Sequence, residues 1–177
     1  TIDFAADGEV SFDAVASVDP GAPLIVLGII DDGIPFAHRA FDSPDGESRI
    51  ESCWLQGMAS DGSGRVRFGR EITRADIADL REEVGSDEDA LYRAAGALGG
   101  GNRAPSPIFG DFAHGGHVLG CAAEDPNPNI RIIAVDMPPS STWDTSGYGK
   151  DMFILAGLHH VFDRAARIAA AHGRPAL

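Results

Sequence analysis

The sequence predicts an α/β protein with a largely parallel sheet. Two apolar runs carry this prediction, Leu24 to Ile30, which is followed by Asp31, and Ile130 to Val135. A continuous apolar run of this length is typical of a strand that is buried on both faces of a parallel sheet. Helical patterns stand before and after the second run, and such alternation of helix and strand is typical of α/β folds. We expect three layers, with helices on both faces of the sheet.

The composition excludes some classes of partner. The chain has 177 residues with 14 Lys plus Arg against 27 Asp plus Glu, so its formal charge is −13. This charge repels phosphate backbones, and we expect no nucleic-acid partner. No segment approaches the roughly 18 apolar residues of a membrane span, and no signal-peptide pattern opens the chain. We therefore predict a soluble protein, either cytoplasmic or secreted by a signal that lies outside this chain.

The two cysteines, Cys53 and Cys121, do not amount to a disulfide framework. A single bridge between them stays open from the sequence. For Cys121 we expect the role of a small buried apolar residue, which is the common environment of a free cysteine.

The first half of the chain contains turns and short elements. Residues 1–22 form an acidic lead-in, and residues 42–64 are rich in turns around a strand-like stretch from Arg49 to Leu55. Two helices follow, and each has a capping pair at its start. These pairs are Thr73 with Asp76, for a helix to about Val84, and Ser86 with Asp89, for a helix to about Ala95.

The second half is built around the predicted strand from Ile130 to Val135. A Gly-rich and Pro-rich loop over 96–110 leads into a helix from about His114 to Ala123. After the strand, apolar residues recur at helical spacing and predict a last helix whose apolar stripe packs on the sheet. These residues are Phe153, Leu155, Leu158, Phe162, Ala165, Ala166 and Ala169, and Gly173 with Pro175 ends the helix.

In a βαβ unit the next strand begins two to six residues after such a helix, which is where Leu177 stands. We therefore expect residues 1–177 to be the N-terminal part of one larger α/β domain. Residues 42–110 are then an insertion between its two principal motifs.

The candidate site consists of Asp31 and His114. Asp31 leaves a buried strand and His114 opens a helix, so that the two side chains can meet at the carboxyl edge of the sheet. A carboxylate beside an imidazole holds the tautomer that can deprotonate a nucleophile. The N-terminus of a helix disfavours a positive charge, and we expect this effect to keep His114 neutral.

Both motifs resemble those of the subtilisin-like serine peptidases. The order of aspartate before histidine is that of subtilisin. The stretch Ile30-Asp-Asp-Gly-Ile34 is similar to the aspartate motif of that family, and His114-Gly-Gly-His-Val-Leu-Gly120 with Ala122 and Ala123 is similar to its histidine motif. The strand over 130–135 and a helix over 152–172 also stand where that family has a strand and its following helix.

The resemblance implies a three-layer fold, here in its first half, and a serine endopeptidase with a peptide or protein substrate. It implies that Asp31 orients His114 and that His114 acts as general base and then as general acid. The nucleophilic serine, the oxyanion asparagine and the substrate-binding strand are expected beyond Leu177, so the rest of the catalytic domain is a necessary partner. Alone, this chain is expected to be inactive.

The chain departs from the family pattern at several positions. Asp32 stands where most subtilisins have Ser or Thr, as in the kexin-like branch, and Gly116 replaces a threonine. The helix after His114 runs directly into Asp125-Pro126, so the family's calcium loop is not supported and no cofactor is predicted. The resemblance implies a structural, hydrogen-bonded role in the core for His117.

Two other functions stay open from the sequence. One is a binding module that kept the peptidase fold and lost its nucleophile. The other is a metal site, because Asp111, His114 and His117 are spaced i, i+3, i+6 and would share roughly one face of a helix.

The remaining polar residues are assigned structural roles. Of the adjacent pair His159 and His160, we expect one side chain to be packed and the other solvated. Ser140, Ser141 and Ser146 lie in a loop without a nucleophile motif, and none is nominated.

Overall fold

The computed structural model describes residues 8, 10–98, 113–138 and 147–177. Within these residues a mixed sheet of four strands is flanked by helices. The strands are β1 (Ile25–Asp31), β2 (Ile50–Leu55), β3 (Arg70–Thr73) and β4 (Ile130–Asp136). The helices are α1 (Arg74–Val84), α2 (Glu88–Ala94), α3 (His114–Ala122) and α4 (Tyr148–Ala171), with a short 3₁₀ turn over Arg39–Phe41.

The strand order is β1-β4-β2-β3. The strands β1, β4 and β2 are parallel, and β3 pairs with β2 in the antiparallel direction. The mostly parallel α/β class predicted from the sequence is therefore confirmed. After α4 the chain returns to the sheet, because Ala176 forms a parallel bridge with Leu24 at the open edge of β1.

Alternate residues of β4 face opposite layers. Ile132 and Ala134 lie in the core formed with α1, α2 and α3, whereas Ile133 and Val135 face α4. Because successive side chains of a strand point to opposite faces, an apolar run covered on both sides is what such a central strand requires.

The helix α4 packs on the sheet with a different face from the one predicted. Its fully buried side chains are His160, Arg164 and Ile168, whereas Leu155, Leu158 and Phe162 are exposed. The prediction of a sheet-facing apolar stripe was therefore wrong. The reason is a buried carboxylate in the sheet, Glu71, which requires a cation opposite it.

This cation is Arg164. Its Nε and Nη2 atoms donate to the two carboxylate oxygens of Glu71 at 2.8 and 2.7 Å, and both side chains are fully buried. Glu71 lies in β3, a strand that the sequence did not predict because it is only four residues long and charged. The pair fixes the edge strand β3 against α4.

The helix α4 also lies close to β1. A Cβ atom on Gly28 would stand 2.5 Å from Cγ1 of Val161, and the β-branched valine has little freedom to move away. The helix α4 can therefore lie this close to β1 only because position 28 is glycine.

The predicted starts of the two middle helices were partly correct. Thr73 and Asp76 form the expected capping box at α1. The cap of α2 is Asp87, whose side chain accepts from the N–H of Ala90, so the prediction of Ser86 was wrong by one residue. A capping carboxylate satisfies an N–H that the first helical turn leaves without a partner.

The cysteines are not bonded to one another. Cys53 is buried in β2, and Cys121 is exposed on α3. The expected burial of Cys121 was wrong because α3 turns Gly115 and Leu119 toward the sheet, which leaves Cys121 on the outer side. No helix in the described part of the chain has the length and apolar character needed to cross a membrane.

Replacing Arg164 by Met should lower the free energy of unfolding by about 3–5 kcal/mol, because Glu71 would remain buried without its cation. The control is Arg167→Met, which removes a partly exposed pair with Asp163 on the same helix and should cost about 1 kcal/mol or less. Urea denaturation of both variants measures the difference. Equal losses would contradict a dominant role for the buried pair.

Candidate functional site

Two strands bring carboxylates to the same edge of the sheet. Asp31 and Asp136 are the last residues of β1 and β4, and they are paired in register. The N–H of Met137 donates to the backbone oxygen of Asp31 at 2.8 Å, so this pairing continues beyond the strand ends. This carboxyl edge is where open α/β sheets place their functional sites.

The turn after β1 is held by hydrogen bonds from several sides. The N–H of Asp32 donates to Oδ1 of Asp31 at 2.8 Å, and the N–H of Ile34 donates to Oδ1 of Asp136 at 3.1 Å. Gly33 between them has a φ of 67°, a conformation that glycine adopts without a steric penalty.

The helix α3 docks directly on this turn. The N–H of Gly115 donates to the backbone oxygen of Asp32 at 2.8 Å. A Cβ atom at position 115 would stand 2.5 Å from that oxygen and 3.1 Å from Cβ of Asp31. The missing side chain therefore allows the first turn of α3 to approach closely enough for the preceding residue, His114, to reach the carboxylate.

His114 and Asp31 are in contact, as the candidate pair from the sequence requires. The Nδ1 atom of His114 lies 2.9 Å from each carboxylate oxygen of Asp31. The imidazole is 71% exposed and the aspartate side chain is 17% exposed. With Nδ1 donating to the carboxylate, Nε2 is the atom that carries a lone pair and is available to act as a base.

The electrostatics of His114 differ from the expectation for a helix N-terminus. The hydrogen bond that Nδ1 donates to Asp31, together with the negative charge of this carboxylate, raises the pKa of His114 above its usual value. The net shift is therefore opposite in direction to the one expected from the helix N-terminus. The adjacent carboxylate acts at hydrogen-bond distance and outweighs the partial charge of the helix end.

The other two carboxylates of the site are less acidic than usual. Burial and the charge of Asp31 raise the pKa of Asp32, although His114 acts in the opposite direction. Burial raises the pKa of Asp136 to about 7, against the effect of hydrogen bonds from the backbone of Ile34 and Gly33. Of the three carboxyl groups, Asp31 is the one that directly contacts the imidazole.

Asp136 was not among the residues nominated from the sequence. A signal was present, because the second apolar run ends in an aspartate as the first one does. The sequence does not say that the two strands are neighbours. Their parallel register in the structure places Asp136 beside Asp31.

The described residues include one set that could hold a cation. Single ligand atoms of Asp31, Asp32 and His114 all lie within 4.8 Å of one another. Asp111, a member of the metal set predicted from the sequence, lies outside the described residues. Its proposed partner His117 is exposed on α3, so the expected core role of His117 was wrong.

A second histidine also lies near a serine and a glutamate. Nε2 of His160 is 3.1 Å from Oγ of Ser52, and that hydroxyl donates to Oε1 of Glu71 at 2.6 Å. All three side chains are buried under α4, and burial lowers the pKa of His160 to about 4. A substrate cannot reach this group, which is part of the polar layer around Arg164.

His159, the neighbour of His160, is exposed. The prediction of one packed and one solvated histidine is therefore confirmed. The loop serines Ser140, Ser141 and Ser146 lie outside the described residues.

No protein-family model and no curated protein matches this chain. The site must therefore be interpreted from its own geometry.

Replacing Asp31 by Asn should lower the pKa of His114 toward the ordinary value of histidine, because the charge and the carboxylate acceptor are both lost. Titration of the imidazole resonances by NMR measures the shift. The control is Asp45→Asn, an exposed carboxylate in the loop before β2, for which the pKa of His114 should not move. An unchanged pKa in Asp31→Asn would refute the contact.

Replacing Gly115 by Ala should force α3 away from the turn, with a loss of about 1–3 kcal/mol in the free energy of unfolding. The pKa of His114 should fall at the same time. Gly120→Ala is the control on the same helix, since no atom lies within 4 Å of a Cβ there. It should leave the pKa of His114 unchanged and stabilise the helix by up to about 1 kcal/mol. Urea denaturation and NMR titration of both variants test this expectation.

Proposed function

We propose that this chain carries the aspartate and histidine of a serine endopeptidase with an Asp-His-Ser triad. The observation that carries the proposal is the hydrogen-bonded pair of Asp31 and His114, in which Nδ1 is occupied by the carboxylate and the imidazole is exposed. This arrangement prepares Nε2 to take a proton from a nucleophile and to return it to a leaving group.

In the proposed reaction, a serine from residues outside this chain attacks the peptide carbonyl. His114 removes the proton from the serine hydroxyl, and Asp31 stabilises the resulting imidazolium. His114 then protonates the leaving amine and later activates the water that hydrolyses the acyl-enzyme. Since the base must be neutral and its pKa is raised, activity should increase as the pH rises through a pKa above that of free histidine.

The two motifs support this function beyond the pair itself. The resemblance to subtilisin-like peptidases rests on the stretches Ile30–Ile34 and His114–Gly120, and the mostly parallel sheet is compatible with it. The proposed substrate is a peptide or protein, and the proposed partner is the remainder of the catalytic domain. The net charge of −13 favours neither nucleic acid nor other polyanions as ligands.

A metal site is the second candidate function, since Asp31, Asp32 and His114 place three ligand atoms within 4.8 Å. A third candidate is a binding module that has the fold and lacks the nucleophile. The three candidate functions differ in one chemical property: only the peptidase has a serine that His114 activates.

Fluorophosphonate labelling of the full natural protein, with the modified residue mapped by mass spectrometry, tests the proposal. We expect labelling at a serine, abolished by His114→Ala and slowed by about three to four orders of magnitude in Asp31→Asn. A chelator should have no effect.

The matched control is His117→Ala, which removes an exposed imidazole from the same helix and should leave the labelling rate unchanged. Absence of labelling in the folded protein would overturn the peptidase proposal and favour the binding module. Loss of folding on addition of a chelator, without labelling of a serine, would favour the metal site.

A further inference from the structure

The carboxyl group of Asp136 is buried at the centre of the candidate site. Only 3% of the residue is exposed, and its backbone ends β4 directly beside Asp31. A side chain with this little exposure cannot touch a peptide in the cleft. A role for Asp136 in the reaction must therefore pass through the residues that it contacts.

These contacts are with the backbone of the turn after β1. Oδ1 of Asp136 accepts from the N–H of Ile34 at 3.1 Å, and both residues are buried. Without this acceptor, the buried N–H of Ile34 would lose its partner, which costs about 1–3 kcal/mol. The aspartate thus joins the end of β4 to the turn that follows Asp31.

The same turn is the docking point of α3. The backbone oxygen of Asp32, next to Gly33, accepts from the N–H of Gly115, and His114 precedes this glycine. Two hydrogen bonds, joined by the backbone from Asp32 to Ile34, therefore connect Asp136 to the first residues of α3. A displacement of the turn would move the carboxylate of Asp31 and the imidazole of His114 relative to each other.

We infer that Asp136 is a positioning residue for the catalytic pair, and that its side chain holds the Asp31–Ile34 turn in the geometry that lets His114 contact Asp31. The catalytic consequence of this positioning rests on the proposed function. The structural part, the dependence of the pair on Asp136, holds for any function of the site.

The chemistry of the interaction predicts which substitutions retain it. The turn requires an acceptor oxygen at this position and not a charge, since the donor is the neutral backbone N–H of Ile34. Asparagine keeps an oxygen at nearly the same place, whereas leucine has a similar volume and no acceptor. Asp136→Asn should therefore preserve the pair, and Asp136→Leu should disrupt it.

The experiment compares Asp136→Asn and Asp136→Leu by NMR of the imidazole of His114 in this chain. The readouts are the low-field signal of the Nδ1 proton bonded to Asp31, and the pKa of His114. We expect Asp136→Leu to lose the low-field signal and to lower the pKa of His114, and Asp136→Asn to retain both. Should the leucine variant not fold, Asp136→Ala removes the acceptor without adding bulk.

The control for a general loss of stability is Val135→Ala. Val135 is fully buried and next to Asp136, but it faces α4 and lies away from the turn. It should lower the midpoint of urea denaturation without moving either readout. Retention of both readouts in Asp136→Leu or Asp136→Ala would overturn the inference, and so would their loss in Val135→Ala.

The fluorophosphonate assay separates this inference from the proposed function. If the full natural protein is labelled, the labelling rate should fall at least tenfold in Asp136→Leu and stay within about twofold of the unmodified protein in Asp136→Asn, as a tenfold change needs only about 1.4 kcal/mol. If it is not labelled, the peptidase proposal fails, and the NMR readouts still decide whether Asp136 positions the pair.

Discussion

The parallel pairing of β1 with β4 is the constraint on which the site depends. Seven residues of each strand are in register, so the two strands end at the same level and place Asp31 beside Asp136. A shift of one strand by one residue would turn its carboxylate to the opposite face of the sheet, away from the other carboxylate. The apolar residues of β4 from Ile132 to Val135 are fully buried between helices, whereas those of β1 are mostly half-buried. The position of the site is thus set by the packing around β4.

Two kinds of polar interaction serve different purposes in this molecule. At the carboxyl edge, Asp136 accepts a hydrogen bond from the turn after β1, and Asp31 accepts one from the exposed imidazole of His114. Under α4, Glu71 and Arg164 form a closed layer that no solvent reaches. The first arrangement leaves one nitrogen of an imidazole free for chemistry. The second pairs a buried carboxylate with a guanidinium group and contributes to the position of the edge strand.

The sequence predicted well wherever the signal was local. The apolar run before Asp31, the capping box at Thr73 and the glycine-rich motif at His114 are each contained in a few consecutive residues. The strand β3 was missed because it is short and charged. The packing face of α4 was missed because it depends on the pair of Glu71 and Arg164, which are distant in the sequence. Burial of a charged residue requires a partner, and a partner cannot be located from spacing alone.

The sequence by itself determined the class of fold and the two residues of the candidate pair, since strand length, helix caps and motif order are properties of neighbouring residues. The tertiary structure decided the distance of 2.9 Å between His114 and Asp31, and the role of Asp136. It also decided the exposure of His117 and Cys121. These features depend on the approach of α3 to the turn after β1, and that approach is set by packing between segments far apart in the chain.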